Sequence, residues 1–308
     1  MTTLPLRVDG AAKSFGKVQA LAGASFEVRP GELLGLLGPN GAGKTTVIKA
    51  IAGRLQLDAG TVEVFGRVLT LRDPRPDIGL VPQELAVYPL LTARENLEIF
   101  GSLYGVSKAD LGKRVAWALQ WSDLNDRANE PTKRFSGGMR RRLNIACSLL
   151  HQPKLVLLDE PTVGVDPQSR ERIYEMLASL RQSGVSIVLT THHLEEAEQR
   201  CDRIVIIDHG TIVAAGTLSE LLHSALGNAR SVDVRLQSPW PASASRPDGW
   251  RVSDDGRVLT VPVANLGKDL AAVLARIDGA GAEVGDVSMR GSTLHDAFIA
   301  LTGRELRE

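Results

Sequence analysis

The run Leu33-Leu34-Gly35-Leu36-Leu37-Gly38-Pro39-Asn40-Gly41-Ala42-Gly43-Lys44-Thr45-Thr46 carries the strongest signal in the chain. Its centre, residues 38 to 45, fits G-x-x-x-x-G-K-[ST] and stands between an apolar β-type run (LLGLL) and a helical run (TVIKAIAG). Strand, loop and helix are the context this motif requires. The glycines let backbone N–H groups wrap phosphate oxygens without Cβ clashes, and the start of the following helix favours anions. Lys44 adds a point charge for the β- and γ-phosphates, and Thr45 a hydroxyl for Mg²⁺. A nucleoside triphosphate site is therefore expected at residues 38–46.

Phosphate loops of this kind serve kinases, GTPases, motors and transport ATPases, so the other half of the site has to choose among them. Leu155-Val156-Leu157-Leu158-Asp159-Glu160 reads as a buried strand ending in two carboxylates. Asp159 suits the Mg²⁺ shell, and Glu160, one residue further along the strand's exit, suits an attacking water. Phe135-Ser136-Gly137-Gly138-Met139 opens an amphipathic helix, with Ser136 as its N-cap and two glycines forming a second anion site. One ATP needs only one such helix start from its own loop. The surplus points to the ATP of a second subunit.

Working outward, residues 4 to 70 alternate short β-rich runs (LRVDG, ASFEVRPGE, GTVEVFG) with turns. From about 86 to 150 the apolar residues fall three and four apart (TARENLEIFGSLYG, KADLGKRVAWALQW, GGMRRRLNIACSLLHQ), which predicts a helical insert. Strand and helix then alternate through KLVLLDE, SRERIYEMLASLRQSG, SIVLTT, HLEEAEQRC and DRIVIID to a hairpin over HGTIVAAG, the rhythm of a parallel sheet covered by helices. After about 228 a Pro- and Ser-bearing connection (SPWPASASRPDGW) and an Asp-Asp-Gly turn introduce a small α+β domain over 228–308, following a nucleotide-binding domain over 1–227. It holds two or three antiparallel strands, a helix over LGKDLAAVLARIDGA, a strand over AEVGDVSMR and a last helix over TLHDAFIALTGRELRE.

Composition narrows the classes further. A chain of 308 residues with 43% hydrophobic content is long enough for about two domains and excludes disorder as its main state. Lys and Arg number 36 and so do Asp and Glu, which gives no global drive toward nucleic acid or an anionic membrane. Cys147 and Cys201 are too few for a disulfide scaffold and form no zinc motif, which suits a reducing compartment. The longest apolar runs fall short of the ~20 residues that span a bilayer. Arg140-Arg141-Arg142 reads as a solvated, salt-bridged helix face, Trp117 and Trp121 as packing, both cysteines as small buried side chains, and His209 as a turn residue.

Taken together, residues 5 to 225 resemble an ATP-binding-cassette (ABC) nucleotide-binding protein, in particular the separate ATP-binding subunits of bacterial ABC-2-type exporters of the daunorubicin-resistance and nodulation-factor kinds. The implied fold is an α/β P-loop NTPase cassette, with a mixed sheet core and a helical subdomain, followed by a small C-terminal α+β domain. The resemblance implies that Phe15 stacks on adenine and that Gly38, Pro39, Asn40, Gly41, Ala42, Gly43, Lys44, Thr45 and Thr46 form the Walker A loop. Gln83 in VPQE corresponds to the Q-loop glutamine, Ser136, Gly137 and Gly138 to the signature, Asp159 and Glu160 to Walker B, Asp166 to the D-loop, and His192 to the switch histidine. Glu160 is then the general base, His192 holds the γ-phosphate, and Gln83, with Thr45 and Asp159, belongs to the Mg²⁺ site.

Phe135, Met139, Val165 and His193 depart from the commonest family pattern, and Met139 is frequent in ABC-2-type subunits. The implied partners are a second cassette in a head-to-tail homodimer around ATP and Mg²⁺, and a separate transmembrane permease touched by Tyr88-Pro89-Leu90-Leu91-Thr92. No nucleic acid is expected. The implied place is the cytoplasmic face of the cell membrane, peripherally bound. A cassette ATPase acting on ribosomes or DNA is the alternative, but the second cassette and long coiled coil typical of those relatives are missing. An importer's ATPase shares the same catalytic residues, and only the signature variant and the ending Phe298-Ile299-Ala300-Leu301-Thr302-Gly303-Arg304 favour export.

Overall fold

Residues 3–227, 230–241, 244–263 and 266–303 are described by a computed structural model. In chain order the first elements are β1 (Leu6–Phe15), β2 (Val18–Val28), β3 (Leu33–Leu37), α1 (Lys44–Ile51), β4 (Ala59–Val64), β5 (Arg67–Leu69) and β6 (Ile78–Val81). The helical insert follows as α2 (Ala93–Leu103), α3 (Lys108–Trp121) and α4 (Gly137–Cys147). Then come β7 (Leu155–Asp159), α5 (Pro167–Gln182), β8 (Ser186–Thr191), α6 (Leu194–Arg200), β9 (Arg203–Asp208), β10 (Thr211–Gly216) and α7 (Leu218–Leu226). The last elements are β11 (Arg230–Leu236), β12 (Arg251–Val252), β13 (Val258–Val263), α8 (Leu266–Gly279), β14 (Val284–Arg290) and α9 (Leu294–Thr302).

Alternation in the first strands builds a four-stranded antiparallel sheet in the order β2-β1-β4-β5. Leu6 pairs with Val28 on one side and Val64 on the other, and Val8 with Phe26 and Val62, so both enter the core, and an irregularity after Val8 shifts the register so that Ala11 is the next residue buried. The second sheet runs β10-β9-β3-β8-β7-β6 and is parallel except for the edge strand β10. All residues of β3, β7 and β8 are buried, as strands covered on both faces must be. Each buried Leu, Ile or Val here contributes roughly 1.5–3 kcal/mol.

This arrangement positions the site: the loops leaving β3, β6, β7 and β8 all open at the carboxyl ends of parallel strands, where ligands of such sheets bind. The insert has its own core of Leu97, Val115, Leu119, Phe135 and Leu143 among others. Its helices start where side-chain caps satisfy free N–H groups: Thr92 and Glu95 form a capping box, Ser107 caps α3 and Ser136 caps α4.

Two compact units divide between Leu218 and Ser219, ahead of the composition shift at 228, so helix α7 after its first residue falls in the second unit. The second unit is an antiparallel sheet in the order β12-β13-β11-β14, with a core of Val232, Val234, Leu259, Val261 and Ile277. Its Asp254-Asp255-Gly256 turn joins β12 to β13, with Gly256 at φ 70°. The last helix ends at Thr302 with Gly303 as a left-handed C-cap, and the remainder of that expected helix, 304–308, lies outside the described residues.

One expectation is overturned. Arg140-Arg141-Arg142 is not a solvated face, although Arg142 does form an ion pair with Asp123 at 3.4 Å: Arg141 is 6% exposed and donates to the Pro82 carbonyl, and Arg142 also donates to the Ser122 and Asp123 carbonyls. The run falls where α4 meets neighbouring loops, and Arg141 and Arg142 satisfy backbone carbonyls there. Trp117 and Trp121 stack on each other at 5.5 Å between ring centroids. Cys147 is buried, Cys201 is half-buried, and His209 sits in the β9–β10 turn at φ 45°.

Candidate functional site

The loop between β3 and α1 is shaped by close approach. Gly43 has φ 108°, and a Cβ there would stand 2.5 Å from the Ala20 carbonyl oxygen. A Cβ on Gly38 would stand 2.2 Å from the Ile207 carbonyl oxygen. Only glycine fits at either place. Lys44, 4% exposed, donates from Nζ to the Gly38 carbonyl at 2.7 Å and the Pro39 carbonyl at 3.1 Å. Burial lowers its pKa below the usual lysine value, against the pull of Glu160 and Asp159.

Beside it, β7 delivers the two carboxylates. Asp159 Oδ1 lies 3.2 Å from Thr45 Oγ1 and accepts the Thr190 hydroxyl at 2.8 Å. Glu160, 6% exposed, has φ 47°, the left-handed region that side chains with a Cβ seldom enter. The same Thr190 hydroxyl accepts the Glu160 N–H at 2.9 Å and so ties both acidic residues to β8. The Glu160 carboxylate gathers three loops: Lys44 Nζ at 3.3 Å, Gln83 Nε2 donating at 3.2 Å, and His192 Nδ1 at 3.1 Å. His193, ring to ring with His192 at 4.2 Å, takes its backbone N–H to Thr191 Oγ1 instead.

A cavity of about 250 Å³ opens here, lined by Asn40, Gly41, Gly43, Lys44, Thr45, Thr46, Gln83 and Glu160. Phe15 is 52% exposed at the end of β1 and is not among the lining residues. Ser136, Gly137, Gly138 and Asp166 line no part of it either. They meet each other elsewhere: a Cβ on Gly138 would stand 2.0 Å from Ser169 Oγ and 3.4 Å from Asp166 Oδ2. Asp166 caps α5 by accepting the Ser169 N–H at 2.9 Å. The site residues thus fall into two groups, one around Glu160 and one where α4 and α5 begin.

Sequence reasoning missed Thr190, Arg141 and Asn144. Thr190 could have been noticed as a fully buried-type strand (SIVLTT) turning polar beside two carboxylates, whereas the partners of Arg141 and Asn144 lie some 60 residues away in sequence.

A parallel sheet with a phosphate loop after β3 and two buried carboxylates at the end of β7 defines a P-loop nucleotide-binding fold. The ABC transporter family model matches residues 21–163. The linearmycin resistance ATP-binding protein of Bacillus subtilis is 37% identical over 98% of this chain and 100% of its own length. The daunorubicin resistance ATP-binding protein DrrA3 of Streptomyces coeruleorubidus is 38% identical over 100% and 98%. The Nod factor export ATP-binding protein I of Ralstonia nicotianae is 39% identical over 98% and 95%. Among solved structures, the ATP-binding subunit of an ABC transporter aligns with TM-score 0.65 and 32% identity over 72% of this chain and 93% of that one. A dimeric cassette in a post-hydrolysis state, bound to ADP and Pi, aligns with TM-score 0.62 and 28% identity over 69% and 98%. The chain belongs to the ATP-binding subunits of ABC transporters. It is an ATP-binding, ATP-hydrolysing cassette of the export type. Among the described residues, no helix is long and apolar enough to cross a membrane.

Proposed function

We propose that this chain couples ATP hydrolysis to efflux through a separate transmembrane permease, as one half of a head-to-tail pair of cassettes on the cytoplasmic face of the membrane. The observation that carries the reading is the division of the site. Glu160 collects Lys44, Gln83 and His192 at one cavity, while Ser136, Gly137, Gly138 and Asp166 assemble a second anion-type helix start that this cavity does not use. A second copy turned head to tail gives that surplus a γ-phosphate to hold.

Lys44 holds the β- and γ-phosphates, and the Gly38–Thr46 loop wraps them with backbone N–H groups. ATP entering the cavity draws Lys44 Nζ away from Glu160 Oε1, which lies 3.3 Å from it, and onto the phosphates, which leaves the Glu160 carboxylate free to accept a proton from the attacking water. His192 orients Glu160 and the γ-phosphate, and Phe15 stacks on adenine. Thr45 Oγ1 and Asp159 Oδ1, 3.2 Å apart, with the Gln83 amide nearby, are oxygen donors of the kind that hold a hard divalent cation alongside phosphates. A Mg²⁺ held by these residues would supply charge neutralisation for the phosphates. Tyr88 and Leu90, 47% and 74% exposed, give the permease an apolar contact.

The test is to purify tagged Glu160→Gln protein from native membranes with and without ATP. A multi-span membrane protein that co-purifies supports the reading. Recovery of ribosomes or DNA from the soluble fraction, with no membrane protein, overturns it.

A further inference from the structure

Helix α4 starts at Ser136 and runs beside the loop that carries Gln83. Arg141, Asn144 and Ser148, spaced three and four apart on one face, are 6%, 1% and 4% exposed. Arg141 Nη1 donates to the Pro82 carbonyl at 3.1 Å, one residue before Gln83. Asn144 Oδ1 accepts the Ala86 N–H at 2.9 Å, three residues after it. At the C-cap of the helix, a Cβ on Gly79 would stand 2.8 Å from the Ser148 carbonyl oxygen, so β6 packs close against the end of α4. Burying a guanidinium and an amide is costly, and Asn144 Nδ2 has no hydrogen-bond partner to offset its share. What the buried pair supplies in return is two hydrogen bonds to the backbone on either side of Gln83.

We propose that Arg141 and Asn144 are positioning residues that clamp the Gln83 loop from both sides to α4, so that Ser136 and Gln83 move as one body. The inference rests on the roles given above to Gln83 and Ser136. Its consequence is a link between the two ATP sites of a dimer. An ATP of one subunit that engages Ser136 of the other shifts α4 there, and α4 carries that second subunit's own Gln83 with it. Neither Arg141 nor Asn144 lines the cavity, so neither touches the nucleotide, and the cycle with Gln83 separates the clamp from the field of the Arg141 charge at Asp159.

The experiment is a double-mutant cycle on the purified full chain, with steady-state ATPase kinetics as the readout. Arg141→Met lowers kcat by about 10-fold with KM for ATP unchanged, the size of effect seen at coupling residues that touch no ligand. Arg141→Lys, which keeps a donor for the Pro82 carbonyl, restores most of it. In the Gln83→Ala background, Arg141→Met costs nothing further. Asn144→Leu, which removes the acceptor of the Ala86 N–H, gives the same pattern and serves if Arg141→Met does not fold. Fully additive losses overturn the clamp while leaving the role of Gln83 intact. A Gln83→Ala enzyme with wild-type kcat overturns the role of Gln83 and the clamp with it.

Discussion

Glu160 holds a backbone conformation that costs a side chain with a Cβ on the order of 1–3 kcal/mol, and it holds it at the exit of a fully buried strand. The Glu160 N–H donating to Thr190, and the carboxylate held by Lys44, Gln83 and His192, keep the residue there. Glu160→Gln keeps the size and the hydrogen-bonding reach but removes the base. Its kcat is expected to fall by about 10²–10⁴-fold while ATP affinity, read by calorimetry, stays near that of the unmodified chain. Weakened affinity with kcat unchanged would assign Glu160 to binding alone. The cysteines give a second prediction at this scale. Burial raises the thiol pKa of Cys147, and burial together with Asp202 and Glu196 raises that of Cys201. A higher pKa moves thiolate formation to higher pH, so at pH 8 to 9, where an ordinary thiol is already ionising, both stay protonated. Alkylation of the folded chain with iodoacetamide should be slow, and both thiols should react promptly in denaturant. The identities of Lys44, Asp159, Glu160 and Gln83 are legible in the sequence because each lies in a local motif with its flanking strand or helix. The left-handed turn at Glu160 and the Thr190 bridge are not, because they arise between residues 30 positions apart.

At the scale of elements, the meeting of α4 and α5 is set by one missing side chain. A Cβ on Gly138 would come within 2.0 Å of Ser169 Oγ and 2.3 Å of Ser169 Cβ, so rotating the serine hydroxyl away does not make room. Gly138→Ala must push the first turn of α4 off the first turn of α5, where Asp166 caps the helix. The expected outcome is loss of most ATPase activity with nucleotide binding retained, since no residue of this seam lines the cavity. Loss of binding in the same variant would show that the two groups of site residues are one. Element identity is well legible where periodicity is strong. The helices α2, α3 and α5 and the strands β7, β8 and β9 stand where the apolar spacing puts them. It fails where tertiary contacts outweigh local pattern. Arg141 and Arg142 of α4 look like part of a solvated run until the carbonyls they serve come into contact from distant loops.

For the whole molecule, the division into two units with separate cores has a thermodynamic signature. Gly38–Thr46, Gln83, Asp159, Glu160 and His192 all belong to the unit that ends at Leu218, whereas Val232, Leu259, Val261 and Ile277 form the core of the second. A ligand that binds a folded unit stabilises that unit by RT ln(1 + [L]/Kd), about 2.7 kcal/mol at 100 times Kd, and leaves an independent unit where it was. Scanning calorimetry of the intact chain, made with and without a non-hydrolysable ATP analogue and Mg²⁺, should therefore resolve two transitions and move only one. For a unit of this size the shift is a few degrees, roughly 2–4 °C per kcal/mol. Lys44→Ala should abolish the shift, because the phosphates lose their charge partner while the second unit keeps its core. A single transition that moves as a whole would mean the two cores unfold as one, and the separate packing of the C-terminal sheet would then carry no independent stability.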